Sequence, residues 1–399
     1  MGKVIFNWII RQLRIAKPLH PDHLGVCLTI VFFGWILVFI SDKTGMFNPI
    51  KDAFDDFQIT DIYYEVLHTD QPDIDNNIVI VDMTHLRTRD EIAQAITDIK
   101  SCAPKLLCID LIFERPSFDT IDDAALVTAI ESPGCQQILS CKLRNYDKDK
   151  DVFADCLYSF FKSFDKEDNI KWGYSNYRQI RMGGCTRETS LYQHLNDSTV
   201  FSLSYTAANL FLGKELKTEQ TNERLIRYDD IDFQVIKSDS VLQFASKLKD
   251  KLVILGTINE EADTHFTPLG KMAGVKVLAY SIQTYILGGE IKASHTASRQ
   301  FIALVAWWLA ACIGYWLEKR HPIIFSIIAK ICNFAIGAFL IWFSFEAYIK
   351  WNYSLNLLYP LLGLALAEDV RELYSAIIPW LQIKTHWKVF EKSLYKRKE

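Results

Sequence analysis

The chain has no C-x-x-C pair, no G-x-S-x-G elbow, no H-E-x-x-H and no Walker phosphate loop. Those absences remove the usual zinc sites, the serine-hydrolase elbow, the zincin proteases and the P-loop nucleotide enzymes. It has no internal repeat and no low-complexity linker, which sets aside solenoids and disordered scaffolds. No small-x-small cleavage pattern follows the first apolar stretch, whose leader exceeds twenty residues, so that stretch reads as a span rather than a signal peptide. Met1-Gly2 has Phe6 where a myristoylation signal needs Ser or Thr. No cofactor, metal or nucleic-acid partner is expected.

What the chain has is segregation. Half of it is hydrophobic and 23% is charged, unremarkable averages that hide four apolar stretches at residues 24–40, 301–317, 323–345 and 354–367. The first three approach the roughly 20 apolar residues that cross a hydrocarbon core of about 30 Å. The fourth is shorter and contains Pro360. The expected organisation is a cytoplasmic amphipathic leader (1–23), a span (24–41), an extracytoplasmic domain (42–299), spans at 300–317, 322–345 and 353–367, and a basic cytoplasmic tail (368–399).

Charge sets the orientation. Lys3, Arg11, Arg14 and Lys17 precede the first span, Lys319 and Arg320 separate the second from the third, and Lys396, Arg397 and Lys398 end the tail. The positive-inside rule makes these segments cytoplasmic. They sum to about +6, while residues 41–299 hold 29 basic against 40 acidic residues, about −11. Both termini then face the cytoplasm of a bacterial inner membrane and the acidic domain faces the periplasm. Val4, Ile5, Trp8, Ile9 and Leu13 form an apolar stripe suited to the membrane surface. In the tail, Leu373, Ile377, Trp380, Leu381, Trp387, Phe390 and Leu394 line up beside lysines, fit for lipid or for a partner. Lys330, inside the third stretch, is expected to snorkel.

Within the polar segment, residues 78–83, 105–113 and 251–258 read as strands buried on both faces. Helical spacing follows the first at 89–99 and the second at 122–130, where Asp122 or Asp123 is placed to cap. A further strand is expected at 137–143. This β-α-β-α-β order predicts an α/β domain with a largely parallel sheet and flanking helices, beside about four transmembrane helices. Residues 144–250 are less regular, with a helix at 202–212 and a meander of short strands at 224–228, 232–236 and 241–244. Residues 274–287 form an amphipathic helix ending at Gly288-Gly289.

The text of these runs resembles the CHASE2 family of extracytoplasmic sensor domains. The resemblance lies in Ile59-Thr60-Asp61 and Tyr63-Tyr64, in Ile78-Val79-Ile80-Val81-Asp82, and in Arg89 with Ile92-Ala93. It continues in Ala103-Pro104 through Phe113, in Asp123 and Leu126, in Lys251 through Gly256, and in Asp263-Thr264-His265-Phe266-Thr267-Pro268. It closes with Gly274-Val275 through Gln283 and Leu287-Gly288, covering most of residues 45–295. Leu278-Ala279-Tyr280 stands where the family often has His-Ala-Asn, so any role of that His is lacking. One span before and three after also suit the family. The resemblance implies an envelope sensor, and the expected mode is a stand-alone receptor that signals in trans to a cytoplasmic or membrane partner, with a homodimer as a reasonable form. An envelope enzyme or a structural subunit of a membrane complex is the alternative.

Asp82 closes the first strand and Asp110 sits within the second, and in an open α/β sheet groups beyond the carboxyl ends of the strands surround the ligand crevice. Arg89, Glu114, Asp263 and Thr264 are the other candidates for holding an unknown small-molecule or envelope ligand. The competing role for Asp82 and Asp110 is to anchor loops and pair with Arg89. His265 beside Asp263 invites a base, but no nucleophile with a diagnostic neighbourhood accompanies it; His85 reads as a loop residue. Six cysteines lie outside the spans, and Cys156 with Cys185 is the expected disulfide.

Overall fold

A computed structural model describes residues 10–12, 14–44, 61–64, 72–147, 149–164, 170–177, 184–196, 198–216, 222–258, 263–288, 291–385 and 392–395. The chain divides into two compact units, Asp61–Lys292 and Met1–Thr60 with Ala293–Glu399. The stripe at Val4, Ile5, Trp8, Ile9 and Leu13, and Trp387 and Phe390 of the tail, lie outside the described residues.

The long helices of the second unit are α1 (Pro21–Thr44) and, after the intervening domain, Thr296–Arg320, Phe325–Trp351 and Leu358–Thr385. Each of the four apolar stretches is therefore largely helical, the fourth from Leu358 onward. Among the described residues, Thr296–Arg320 and Phe325–Trp351 are long and apolar enough to cross a membrane, and the pair Ile10–Ala16 with Pro21–Ile36, bent by 54°, has the length and composition of a broken span or a re-entrant loop. The expected four thus become two clear candidates. Leu358–Thr385 falls short because Glu368, Asp369, Arg371 and Glu372 follow its first ten residues.

Small residues bring these helices together. Val26, Cys27 and Ile30 pack against Ala303, Ala306, Trp307, Ala310 and Ala311, and against Leu364 and Ala367. Trp307 donates its indole N–H to the Pro360 carbonyl, 3.1 Å away. Arg371, 1% exposed, is held by both Glu368 oxygens and by the half-buried Glu318 at 2.7 Å, so a buried ion pair is extended to a third charge nearer the surface. Lys330 meets Asp369 at 2.8 Å with both side chains exposed. In the tail, Leu373, Ile377 and Trp380 are exposed, whereas Ser393 and Leu394 turn back to donate to Asp22.

In the first unit, β1 (Asp73–Asp82) leads into α2 (Arg89–Ser101), β2 (Leu106–Ile109), α3 (Thr120–Glu131) and β3 (Gln136–Asp147). Local chemistry starts both helices. Thr88 accepts from the Glu91 amide while Glu91 accepts from the Thr88 amide, a complete capping box. The cap of α3 is Asp119, which accepts from Ile121 and Asp122. Asp123, expected as a possible cap, is instead buried and paired with Arg89. Then come β4 (Val152–Leu157), β5 (Lys171–Tyr174), β6 (Glu188–Ser190), β7 (Tyr192–Leu195), β8 (Ser198–Phe201), α4 (Leu203–Leu212), β9 (Glu223–Leu225), β10 (Ile231–Lys237), β11 (Leu252–Gly256), the hairpin β12 (Thr264–Thr267) and β13 (Gly270–Ala273), and α5 (Gly274–Leu287).

The main sheet runs β10-β1-β11-β2-β3-β4-β7-β8, with β5 also on β3. From β10 to β3 every pairing is parallel, whereas β3–β4 and β7–β8 are antiparallel. The late strand β11 inserts between β1 and β2, a long-range pairing that its buried run Leu252-Val253-Ile254-Leu255-Gly256 permits. Val79, Val81, Leu107, Ile109, Val253 and Leu255 pack against Ile92, Ile96 and Ile99 of α2 and Leu126 and Ile130 of α3. The alternate residues, Ile78, Ile80, Cys108 and Ile254, face the layer of α4 and α5.

The expected meander does not form. Residues 223–225 pair with β6, residues 231–237 extend the main sheet in parallel, and residues 238–244 are a 3₁₀ turn. The reason is non-local: Val241 is buried in the core against α2, a contact that short-range alternation does not encode.

Lys100 fastens the two outer helices. Its ammonium donates to the carbonyls of Ala129, Ile130 and Ser132 at 2.7–2.8 Å, satisfying the open end of α3, and burial lowers its pKa. Lys100→Met should cost about 2–3 kcal/mol in chemical denaturation, because three buried carbonyls lose their donor.

Candidate functional site

A cleft of about 1150 Å³ opens at the carboxyl ends of β2, β11, β3 and β5. Each strand delivers a side chain there as it ends. Asp110 follows β2, Thr257 follows β11, Ser140 and Lys142 come from β3, and Ser175, Asn176 and Tyr177 follow β5. Asp263, Thr264 and His265 come down from the loop and first strand of the β12–β13 hairpin, and Gly274 and Leu278 of α5 form a wall. Glu188, Ser190, Gln193 and Glu223 add a polar side, and Tyr146 with Phe153, ring centroids 5.0 Å apart, an aromatic one. This is the position at which open parallel sheets bind ligands.

Asp110 lies at the floor. Its amide continues the sheet by donating to the Leu255 carbonyl, but its carboxylate accepts no hydrogen bond from any described residue. Burial, with the charge of Asp263 added and His265 opposing, pushes its pKa up to about 7. Asp263 lies against Gly274 at the start of α5, where a Cβ would collide with its carboxyl group. Nothing from the cap residue Ala273 occupies that helix start. His265 is held from three directions: Nε2 is 3.6 Å from Asp263, Nδ1 is 3.4 Å from the Thr186 hydroxyl, and Tyr177 meets the ring edge-on at 5.4 Å. The Tyr177 hydroxyl is 3.1 Å from Ser281, and burial raises its pKa.

Of the six residues expected to form a ligand site, the cleft gathers Asp110, Asp263 and Thr264. The other three have different employment. Asp82 accepts from the Thr84 amide and hydroxyl and from the Ile258 amide, tying the loops after β1 and β11. Arg89 pairs with Asp123, donates to the Arg115 carbonyl and lies over the Phe113 and Phe160 rings. Glu114 meets Arg144 at 3.1 Å on the surface. His85 bonds Ser238. No disulfide joins Cys156 to Cys185, and the thiol beside Cys156 is Cys141.

Sequence reasoning missed Tyr177, Ser281, Asn176, Glu188 and Glu223. One signal was present: Ser281, Gln283 and Thr284 are polar residues on the buried face of α5, and a polar stripe inside a core must meet partners. The others come from the irregular region between β3 and β10, where spacing carries no information about the cleft. No group of three or more metal-ligating side chains is present among the described residues.

The CHASE2 domain family matches residues 31–318. No curated protein and no solved structure matches the chain.

The raised pKa of Asp110 has a definite sign. The native state holds this proton more tightly than the unfolded chain, so the stability it provides is present below about pH 4 and is lost as pH rises through about 7. Asp110→Asn should therefore leave stability at pH 4 near wild type and raise it at pH 8 by on the order of 2 kcal/mol, as read by denaturant titrations at both pH values.

Proposed function

The chain belongs to the CHASE2 domain family, a family of extracytoplasmic sensory domains, and on that premise we propose that its α/β unit is the receptor for a small, polar, amine-bearing molecule. The observation that carries this reading is Asp110: a carboxylate at the floor of an open cleft, unserved by any described donor, next to a second carboxylate on Asp263. Glu188 and Glu223 add to the acidic side, against Lys142 and His265. A cationic amine would supply the hydrogen bonds that Asp110 lacks, and its charge would relieve the repulsion between Asp110 and Asp263. The serine, asparagine and glutamine side chains around the cleft suit hydroxyl or amide groups on the same molecule.

In this reading the protein is a multi-pass inner-membrane sensor with four membrane helices, the α/β unit in the periplasm and basic segments in the cytoplasm. The support is the charge asymmetry of the sequence and the clear apolar character of Thr296–Arg320 and Phe325–Trp351. Ligand binding biases one of two arrangements of the helices, and a signalling partner reads the result. The Glu318–Arg371–Glu368 group suits such a two-state block, because the buried Arg371 is joined to a second helix through Glu318 and its charge must remain paired.

The test is thermal unfolding of the full-length protein in detergent against a panel of monoamines, polyamines, amino sugars and their anionic or neutral analogues. A concentration-dependent rise in Tm is expected with an amine and not with its N-acetylated analogue, and Asp110→Asn should abolish it. Stabilisation that persists in Asp110→Asn, or that comes from anionic compounds alone, would sink the reading.

A further inference from the structure

Two thiols stand together in the strands beside the cleft. Cys141 on β3 and Cys156 on β4 belong to one apolar cluster with Leu143 and Tyr174. The antiparallel register places Leu143 opposite Cys156, so Cys141 is the diagonal neighbour on the same face of the hairpin. Cys141 is fully buried, whereas Cys156 is half-buried. Lys142, Tyr146 and Phe153 of the same two strands line the cleft, and Phe153 also packs against the cluster that holds the thiols. Cys102 and Cys108 are buried, and Cys135 is half-buried against the core cluster that contains Cys102.

We propose that Cys141 and Cys156 form a reversible redox pair, with Cys156 the attacking thiol and Cys141 the resolving one. The chemistry is thiol–disulfide exchange with a disulfide oxidant, the class of reagent available outside the cytoplasm. The Cys156 thiolate attacks one sulfur of the oxidant, breaking its S–S bond and releasing one oxidant thiolate, which takes up the proton lost by Cys156. Cys141 then gives up its proton and attacks the Cys156 sulfur. The mixed disulfide breaks, the Cys141–Cys156 bond forms, and the second oxidant thiolate takes the Cys141 proton. Two protein thiols are oxidised and one oxidant disulfide is reduced to two thiols.

The environment divides the roles in this way. The neighbouring Cys141 thiol hydrogen-bonds the Cys156 thiolate and lowers its pKa, while that same hydrogen bond, then burial and the Cys156 charge, raise that of Cys141. Diagonal pairs lie about 7–8 Å apart at Cα, beyond the preferred span of a disulfide. Bond formation must therefore pull β4 along β3, which marks the bond as reducible rather than a permanent staple. β4 pairs with β3 along its length, while on its other side it is held by the Phe153–Leu195 pairing and by Asn196, which donates to the Phe153 and Ala154 carbonyls. That movement would carry Phe153 and Tyr146 and reshape the aromatic side of the cleft. The proposal stands whether or not the cleft takes an amine.

The experiment uses the full-length reduced protein in detergent, treated with oxidised glutathione, quenched by alkylation and mapped by peptide mass spectrometry. The expected result is a Cys141–Cys156 linked peptide in most chains, its loss on adding dithiothreitol, and a glutathione adduct on Cys156 in Cys141→Ser. Because the wild-type map needs no variant, a misfolded Cys141→Ser protein leaves the test intact. A Cys156–Cys185 link, glutathione retained on Cys156 of the wild type, or unreacted Cys141 and Cys156 would each overturn it.

Discussion

The feature on which the α/β unit depends is the parallel pairing of β11 between β1 and β2. Leu252 to Leu255 are entirely buried, and both neighbouring strands complete their hydrogen bonds on this one segment. The chain must travel some 140 residues from β2 before this strand arrives, so the pairing is long-range and its loop-closure cost is met only by burial on both faces. Once formed, it sets the carboxyl ends of β11 and β2 side by side. Asp110 and Thr257 then emerge next to each other, and the hairpin after β11 brings Asp263 and His265 over the same spot. Gly256 allows Val275 of α5 to close on the strand end, where a Cβ would meet it at 2.8 Å.

Much of this was legible in the sequence because it is local. Doubly buried strands announce themselves as continuous aliphatic runs, and α2, α4 and α5 by spacing and caps, down to the left-handed Gly288 after α5. The four apolar stretches did become largely helical. What failed was non-local. Nothing in residues 231–237 says that they will pair in parallel with β1, and nothing near Tyr177 says that it will reach Ser281. For Leu358–Thr385, ten apolar residues and then a charge cluster make one continuous helix, and Arg371 is buried there by partners from another helix.

The candidate site divides along the same line. Asp82 and Asp110 look alike in sequence, each an acid at a strand end. Asp82 is consumed by its own turn through Thr84, two residues away, so its role is structural and local. The turn after Asp110 turns no donor back to it, and the acid faces open space. Only the geometry separates an anchoring carboxylate from a free one. Arg89 is withdrawn from the cleft by Asp123, a residue whose sequence position suggested a cap.

The central claim is that the acidic floor of the cleft is the part of the protein that meets its ligand. Hydrogen–deuterium exchange of the full-length chain, with and without a stabilising amine, examines this most directly. The account predicts slower exchange in the peptides that contain Asp110, the β12–β13 hairpin and the first turn of α5. Protection confined to other surfaces, with those peptides unchanged, would contradict it.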